Sequence, residues 1–210
     1  EEYDVEIVRD RIPIHSVVAS FVIEEDVGYI KVIRFSATTA AEFAEAMHNL
    51  ERDGATSVIV DLRANGGGYM SAATDMIDRF LDQGLGIVYT EGKASPRRDY
   101  VSKYDGEYRN WPIAVLIDES SASASEIFAG AMQDNDRGLI VGRRSFGKGL
   151  VQEEFEVPNS NEGSGALRLT VARFYTPSGR AIQKPYGEGV DYDHDYEDRL
   201  QSGELFLNDS

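Results

Sequence analysis

The sequence predicts an α/β domain of layered strands and helices, and three observations carry that prediction. Short apolar runs of strand length recur along the chain, at 57–62, 86–90, 112–118 and 138–142. Between them lie stretches whose apolar residues repeat at helical spacing, such as Phe43, Met47 and Leu50. Strand, helix and strand in alternation is the pattern of a largely parallel central sheet covered by helices.

The elements follow in order. Two alternating or apolar runs, 14–23 and 28–35, read as paired strands joined by a Glu-Glu-Asp turn. Thr39 with Glu42 forms a capping box that opens the first helix, and Gly54 closes it. Ser-Val-Ile-Val-Asp-Leu at 57–62 is a buried strand, followed by the Gly66-Gly67-Gly68 turn. A helix with Met76, Ile77, Phe80 and Leu81 on one side comes next, then a strand at 86–90. Residues 92–110 carry Arg97, Arg98, Lys103 and Arg109 and read as an exposed excursion. Strand 112–118, helix 124–134, strand 138–142 and strand 166–176 complete the pattern, and the tail at 187–210 is acidic.

Composition narrows the function classes. Of 210 residues 41% are apolar, enough for one substantial core. Twenty-one Lys and Arg against 37 Asp and Glu leave a formal charge of −16, which repels nucleic acid and anionic membranes. With no cysteine there is neither a disulfide framework nor a thiolate metal site, and cytosol and periplasm both stay open. No apolar run approaches membrane-spanning length. The chain opens at Glu1 on a strand-like segment without a signal peptide, and is expected to be a piece of a longer precursor.

Three features offer chemistry. Ser123 sits where strand 112–118 turns into helix 124–134, so free N–H groups of the helix start stand behind its hydroxyl. The plain alternative is that Ser120, Ser121, Ser123 and Ser125 are helix caps, since Ser123 with Glu126 is itself a capping box. The Asn65-Gly66-Gly67-Gly68 turn between a strand and a helix aims backbone donors into a common space, as an oxyanion hole requires. Its alternatives are a plain turn or a phosphate cradle, though its spacing matches neither nucleotide-binding fingerprint. Lys148, between Gly147 and Gly149, is a candidate base, with Gln152 four residues on able to orient an amine without adding charge. An amine accepts a proton only when neutral, so burial or the nearby Arg143 and Arg144 must favour the uncharged form. Its alternative is an ordinary solvated lysine. His15, His48 and His194 show no metal-ligand spacing, and the acidic run around His194 reads as solvated tail.

These blocks together resemble the C-terminal processing peptidases, serine proteases with a Ser/Lys dyad. The matching segments are Gly28-Tyr29-Ile30, Asp61-Leu62-Arg63 with Gly67-Gly68, the run 121–127, Phe146-Gly147-Lys148-Gly149 with Gln152, and the run 167–179; they span roughly residues 5 to 185. The resemblance implies a Clp-protease/crotonase-like α/β core. It implies Ser123 as nucleophile, Lys148 as general base and Gln152 as the residue positioning the lysine. Ala124 and a glycine of the turn, Gly67 or Gly68, would supply the oxyanion hole. It implies an acyl-enzyme intermediate, a protein substrate cleaved near its C-terminus in the bacterial envelope or periplasm, and neither cofactor nor metal. Oligomeric state, a homo-oligomer included, stays open. By the same resemblance residues 1–10 are a remnant of the exit from a substrate-binding PDZ domain, 11–186 the peptidase core, and 187–210 a truncated acidic surface segment. Ala64 and Gly66 replace a usual Asn and Pro, so a looser oxyanion turn is expected, and Ser121 replaces a usual Gly or Thr. A non-catalytic binding module on this fold is the competing reading, and a crotonase-like acyl-CoA enzyme a third that leaves the Ser/Lys pair unexplained.

Overall fold

The computed structural model describes residue 3 and residues 14–159, 163–187 and 194–206. In chain order the elements are β1 Val17–Glu24, β2 Val27–Val32, α1 Thr39–Arg52, β3 Ser57–Asp61, α2 Met70–Ile77, β4 Gly86–Glu91, β5 Arg98–Val101, β6 Ile113–Ile117, α3 Ala124–Asp134, β7 Leu139–Gly142, β8 Leu150–Asn159, β9 Gly163–Tyr175 and α4 Asp195–Gln201. They form two sheets, one ordered β1-β2-β3-β6-β7 and the other β5-β4-β9-β8. The first begins with the antiparallel β1/β2 pair and continues parallel through β3, β6 and β7, as strands separated by helical crossovers must. The second is antiparallel throughout.

The core lies where the inward residues of the first sheet meet the helices. Val58 and Val60 of β3 and Ile113 and Val115 of β6 are buried with Phe43, Met47 and Leu50 of α1 and Ile127, Phe128 and Met132 of α3. Phe80 is at the centre, fully buried, its ring 6.1 Å from Phe43, 6.3 Å from Tyr108 and 6.3 Å from Phe128. The Phe43 and Phe128 pairs are edge-on and the Tyr108 pair is tilted, and such pairs add to the burial energy of each ring. On the other face of the sheet the register sets Phe21, Tyr29, Ile59, Ala114 and Leu139 side by side, one residue per strand.

Several elements differ from expectation. The first helix is capped by Thr38, not Thr39: Thr38 Oγ1 donates to Glu42 at 2.6 Å, and Glu42 also receives the N–H groups of Ser16 and Val17. Thr39 is fully buried, its hydroxyl donating to Ser16. Helix α2 ends at Ile77, and Phe80 and Leu81 are buried from the turn beyond it. The stretch 92–110 is largely exposed, Arg97, Arg98, Lys103 and Arg109 included, but it is not mere excursion: β5 pairs with β4 there, and Ser102, Gly106 and Tyr108 are buried. Strand β8 was not anticipated; it forms a long hairpin with β9. In the acidic tail, residues 194–206 contain α4, while 188–193 and 207–210 lie outside the described residues.

Truncating Phe80 to Ala removes the ring that joins α1, α3 and the 106–111 segment. Urea unfolding should show a loss of roughly 3–5 kcal/mol, the usual range for a buried aromatic. A loss under about 1 kcal/mol would show that the three rings do not share one core.

Candidate active site

The site assembles at the carboxyl ends of the parallel strands, where open α/β sheets place their functional groups. Ser123 follows β6 and begins α3 with φ 57° and ψ −111°, a conformation L-residues rarely adopt. The chain reaches it through Ser121, fully buried, whose hydroxyl donates to the Leu62 carbonyl at 2.8 Å and accepts from the Asp118 N–H. Ser125 binds the Asn65 carbonyl at 2.8 Å. Two of the four serines therefore tie β6 and α3 to the turn after β3, and do not cap the helix.

That turn is pinned, not loose. Asn65 is fully buried; its amide donates to the Val32 carbonyl and its Oδ1 accepts the Gly67 N–H, both at 2.9 Å. Ala64, at φ 57°, donates its N–H to Asp118. Gly67, at φ 93°, packs so closely on the turn before α3 that a Cβ there would stand 2.8 Å from Ser123 Cβ and 2.9 Å from the Ala124 nitrogen. At Gly68, φ 145°, a Cβ would collide with the Phe35 carbonyl. The Gly67 N–H is thus engaged by Asn65, whereas the Gly68 and Ala124 N–H groups have no acceptor among the described residues.

Glu126 joins the halves of the site. It is 6% exposed. Its Oε2 accepts the N–H of Ser123 at 2.7 Å and the N–H of Lys148 at 2.8 Å. One oxygen receiving both confines those two nitrogens to within 5.5 Å of each other. Its Oε1 accepts the Ser145 hydroxyl at 2.6 Å and the Gly147 N–H at 2.7 Å. The capping box visible in the sequence is half of this arrangement; the other half comes from a loop about twenty residues away. Gly149 is buried against Ile182 and Gln183, whose Oε1 accepts its N–H at 3.0 Å.

The Lys148 side chain is exposed, and its Nζ has no hydrogen-bond or ion-pair partner among the described residues. Arg143 and Arg144 do not act on it as free cations, being paired with Glu119 and Glu204. Gln152 lies on β8 opposite Thr170 and makes no hydrogen bond to Lys148. It lines a cleft of about 490 Å³ with Phe35, Gly68, Tyr69, Glu154 and Arg168. A larger hollow, about 650 Å³, opens at the opposite ends of the strands beside Val27, Ser57, Ile113 and Gly138, away from this chemistry. His15 and His48 lie beside Glu42 and Glu51. No cluster able to hold a metal occurs among the described residues.

Below the turn, Asp61 is 1% exposed and accepts from Tyr29 Oη at 2.7 Å, Lys31 Nζ at 3.0 Å, and the backbone and guanidinium of Arg63. Burial raises its pKa, but these donors outweigh burial and hold the carboxyl well below the usual range.

The arrangement matches a known family. The model of peptidase family S41 covers residues 26–196. The chain belongs to that family. It is 40% identical over 160 residues to the carboxyl-terminal-processing protease of Synechocystis sp., covering 76% of this chain and 36% of that protein. It is 39% identical over 188 residues to the carboxy-terminal-processing protease of Bartonella bacilliformis, covering 86% and 41%. Among solved structures, the photosystem II D1 C-terminal processing protease superposes with a TM-score of 0.71 at 32% identity, over 83% of this chain and 47% of that one. The S41 chain thus spans about two fifths of the length of the curated relatives it matches, and its α/β core has the architecture of S41 peptidases. No helix among the described residues is long and apolar enough to cross a membrane.

Because its folded-state pKa is lowered, Asp61 adds stability above the reference carboxylate value of about 4, and that contribution drains away as pH falls below about 5. Asp61→Asn should therefore be less stable than the parent in urea at pH 7, and the gap should narrow steadily toward pH 2. A gap independent of pH would contradict this.

Proposed function

We propose that this S41 chain is the core of a serine endopeptidase in which Ser123 is the nucleophile and Lys148 the general base. The observation carrying the reading is the carboxylate oxygen shared by the Ser123 and Lys148 N–H groups. It holds the two backbone nitrogens within 5.5 Å of each other, and in this reading rotation of the lysine side chain brings its amine to the hydroxyl. Neutral Lys148 takes the Ser123 proton as Oγ attacks the scissile carbonyl. The developing oxyanion lies toward the two unengaged donors, the N–H groups of Ala124 and Gly68; Gly67 supports the turn with its own N–H on Asn65. The protonated lysine gives its proton to the leaving amine, and water then hydrolyses the acyl-enzyme by the same route reversed. Gln152, on the wall of the cleft that Gly68 also lines, is the residue assigned to steer the amine.

The substrate in this proposal is an extended stretch of protein lying between the 66–69 turn and β8. Cleavage near a substrate C-terminus and a bacterial envelope or periplasmic setting follow from the resemblance to the processing peptidases. A binding module on the same fold is the second reading, favoured by the unpartnered Lys148 amine, and activity decides between them.

In the full-length protein, Ser123→Ala and Lys148→Ala should each lower peptidase kcat at least about 1,000-fold while circular dichroism stays native. Near-normal turnover in either variant ends the dyad reading. The rate should rise with pH through the titration of an amine on the basic side of neutral; a limb near 6.5, the imidazole reference, would assign the base to a histidine. Glu126→Gln presents an amide N–H₂ to donors that now meet a carboxylate oxygen. It should cost at least about 3 kcal/mol in urea unfolding together with a large loss of kcat. Retained kcat would show that the shared oxygen does not organise the site.

A further inference from the structure

We infer that Arg199 is a positioning residue for the Lys148 loop, acting as the centre of a strap made by α4 and the turn after it. The inference rests on the reading of Lys148 as base. It starts from an oddity: within an acidic tail, the Arg199 side chain is 4% exposed. A buried guanidinium is costly unless its N–H groups are matched. Here Nη2 donates to the Arg144 carbonyl at 2.5 Å, Nη1 to the Ser145 carbonyl at 3.5 Å, and Nε to Glu204 at 2.9 Å.

Those two carbonyls belong to the loop whose N–H groups, at Gly147 and Lys148, run to Glu126. The run 144–148 is therefore held by a cation at its first two carbonyls and by an anion at its last two N–H groups, while the Phe146 N–H between them donates to the Ser121 carbonyl at 2.9 Å. Other contacts draw the strap onto the same loop. Glu204 also takes Arg144, Nε at 2.9 Å and Nη2 at 3.0 Å. Asp195, at the start of α4, lies 3.2 Å from Lys184 Nζ, and the Lys184 backbone donates to the Gly147 carbonyl at 2.9 Å. The family model ends at residue 196, so Arg199 and Glu204 lie beyond the matched core and fix the base's loop from outside it. Glu126 sets where the loop meets the nucleophile; Arg199 sets how the loop faces Glu126.

The test uses the full-length protein. Arg199→Ala should lower kcat roughly 10- to 100-fold with KM within about threefold, the size of effect expected from a sub-ångström to 1 Å displacement of a reacting group. It should also move the amine limb of the pH–rate profile, and with it the pH dependence of Lys148 acetylation by acetic anhydride, read by peptide mass spectrometry. A staple that only stabilises would lower the melting temperature and leave both profiles in place. Arg199→Lys, which keeps the charge but not the fork, should recover part of kcat. Glu204→Gln should give a smaller shift in the same direction, and these two milder variants decide the matter should Arg199→Ala not fold. Unchanged kcat and profiles in Arg199→Lys, Glu204→Gln and any folded Arg199→Ala, with Lys148→Ala inactive, overturn the strap. An active Lys148→Ala overturns the base assignment instead.

Discussion

A single buried carboxylate organises this molecule's chemistry. Glu126 receives four donors, two on each oxygen, from the start of α3 and from the 145–148 loop. Ser123 occupies a backbone conformation that costs on the order of 1–3 kcal/mol. Its N–H bond to Glu126 and the close contact with Gly67 make that conformation tenable. Glu126 is thus both a helix cap and a long-range fastener, and neither role can be removed without disturbing the other.

The rest of the fold delivers segments to that carboxylate. Strands β3 and β6 are parallel neighbours, so the turns leaving their carboxyl ends emerge side by side. Asn65 from one and Ser121 with Ser125 from the other sew the turns together. Glycine is needed at 67 and 68 because both take left-handed angles and because each touches a neighbouring backbone where a Cβ has no room. In the proposed reading this rigidity matters, since donors to an oxyanion are effective only when fixed beforehand.

Much of this was legible in the sequence because much of it is local. The helical spacing of Phe43, Met47 and Leu50, the strand after it, the glycine turn and the Ser123 elbow each declare themselves within a few residues. What stayed hidden depends on partners far along the chain. Strand β8 carries Glu153, Glu154 and Glu156 and is assigned no element from the sequence, yet β9 pairs it along its length. Tyr108 sits among polar residues and is buried only because Phe80 and Trp111 close around it. Ala64 in place of a usual Asn predicted a slack turn, but Asp118, 54 residues away, holds it. Arg199 gives no local sign of burial, its acceptors being carbonyls 54 and 55 residues back.

The proposed role of Lys148 as a base, in a chain of net charge −16, depends on the charge around it. A carboxylate against the amine would keep it protonated. The neighbouring cations each have one: Arg143 has Glu119, Arg144 and Arg199 share Glu204, and Lys184 has Asp195. The carboxylate nearest the Lys148 backbone is Glu126, and backbone N–H groups with the Ser145 hydroxyl already occupy both its oxygens. An ionised carboxylate has about four lone-pair sites, so Glu126 has little capacity left for an ammonium. The oxygen that joins the Ser123 and Lys148 N–H groups is therefore already filled by donors, and the Lys148 amine has no counter-ion among the described residues.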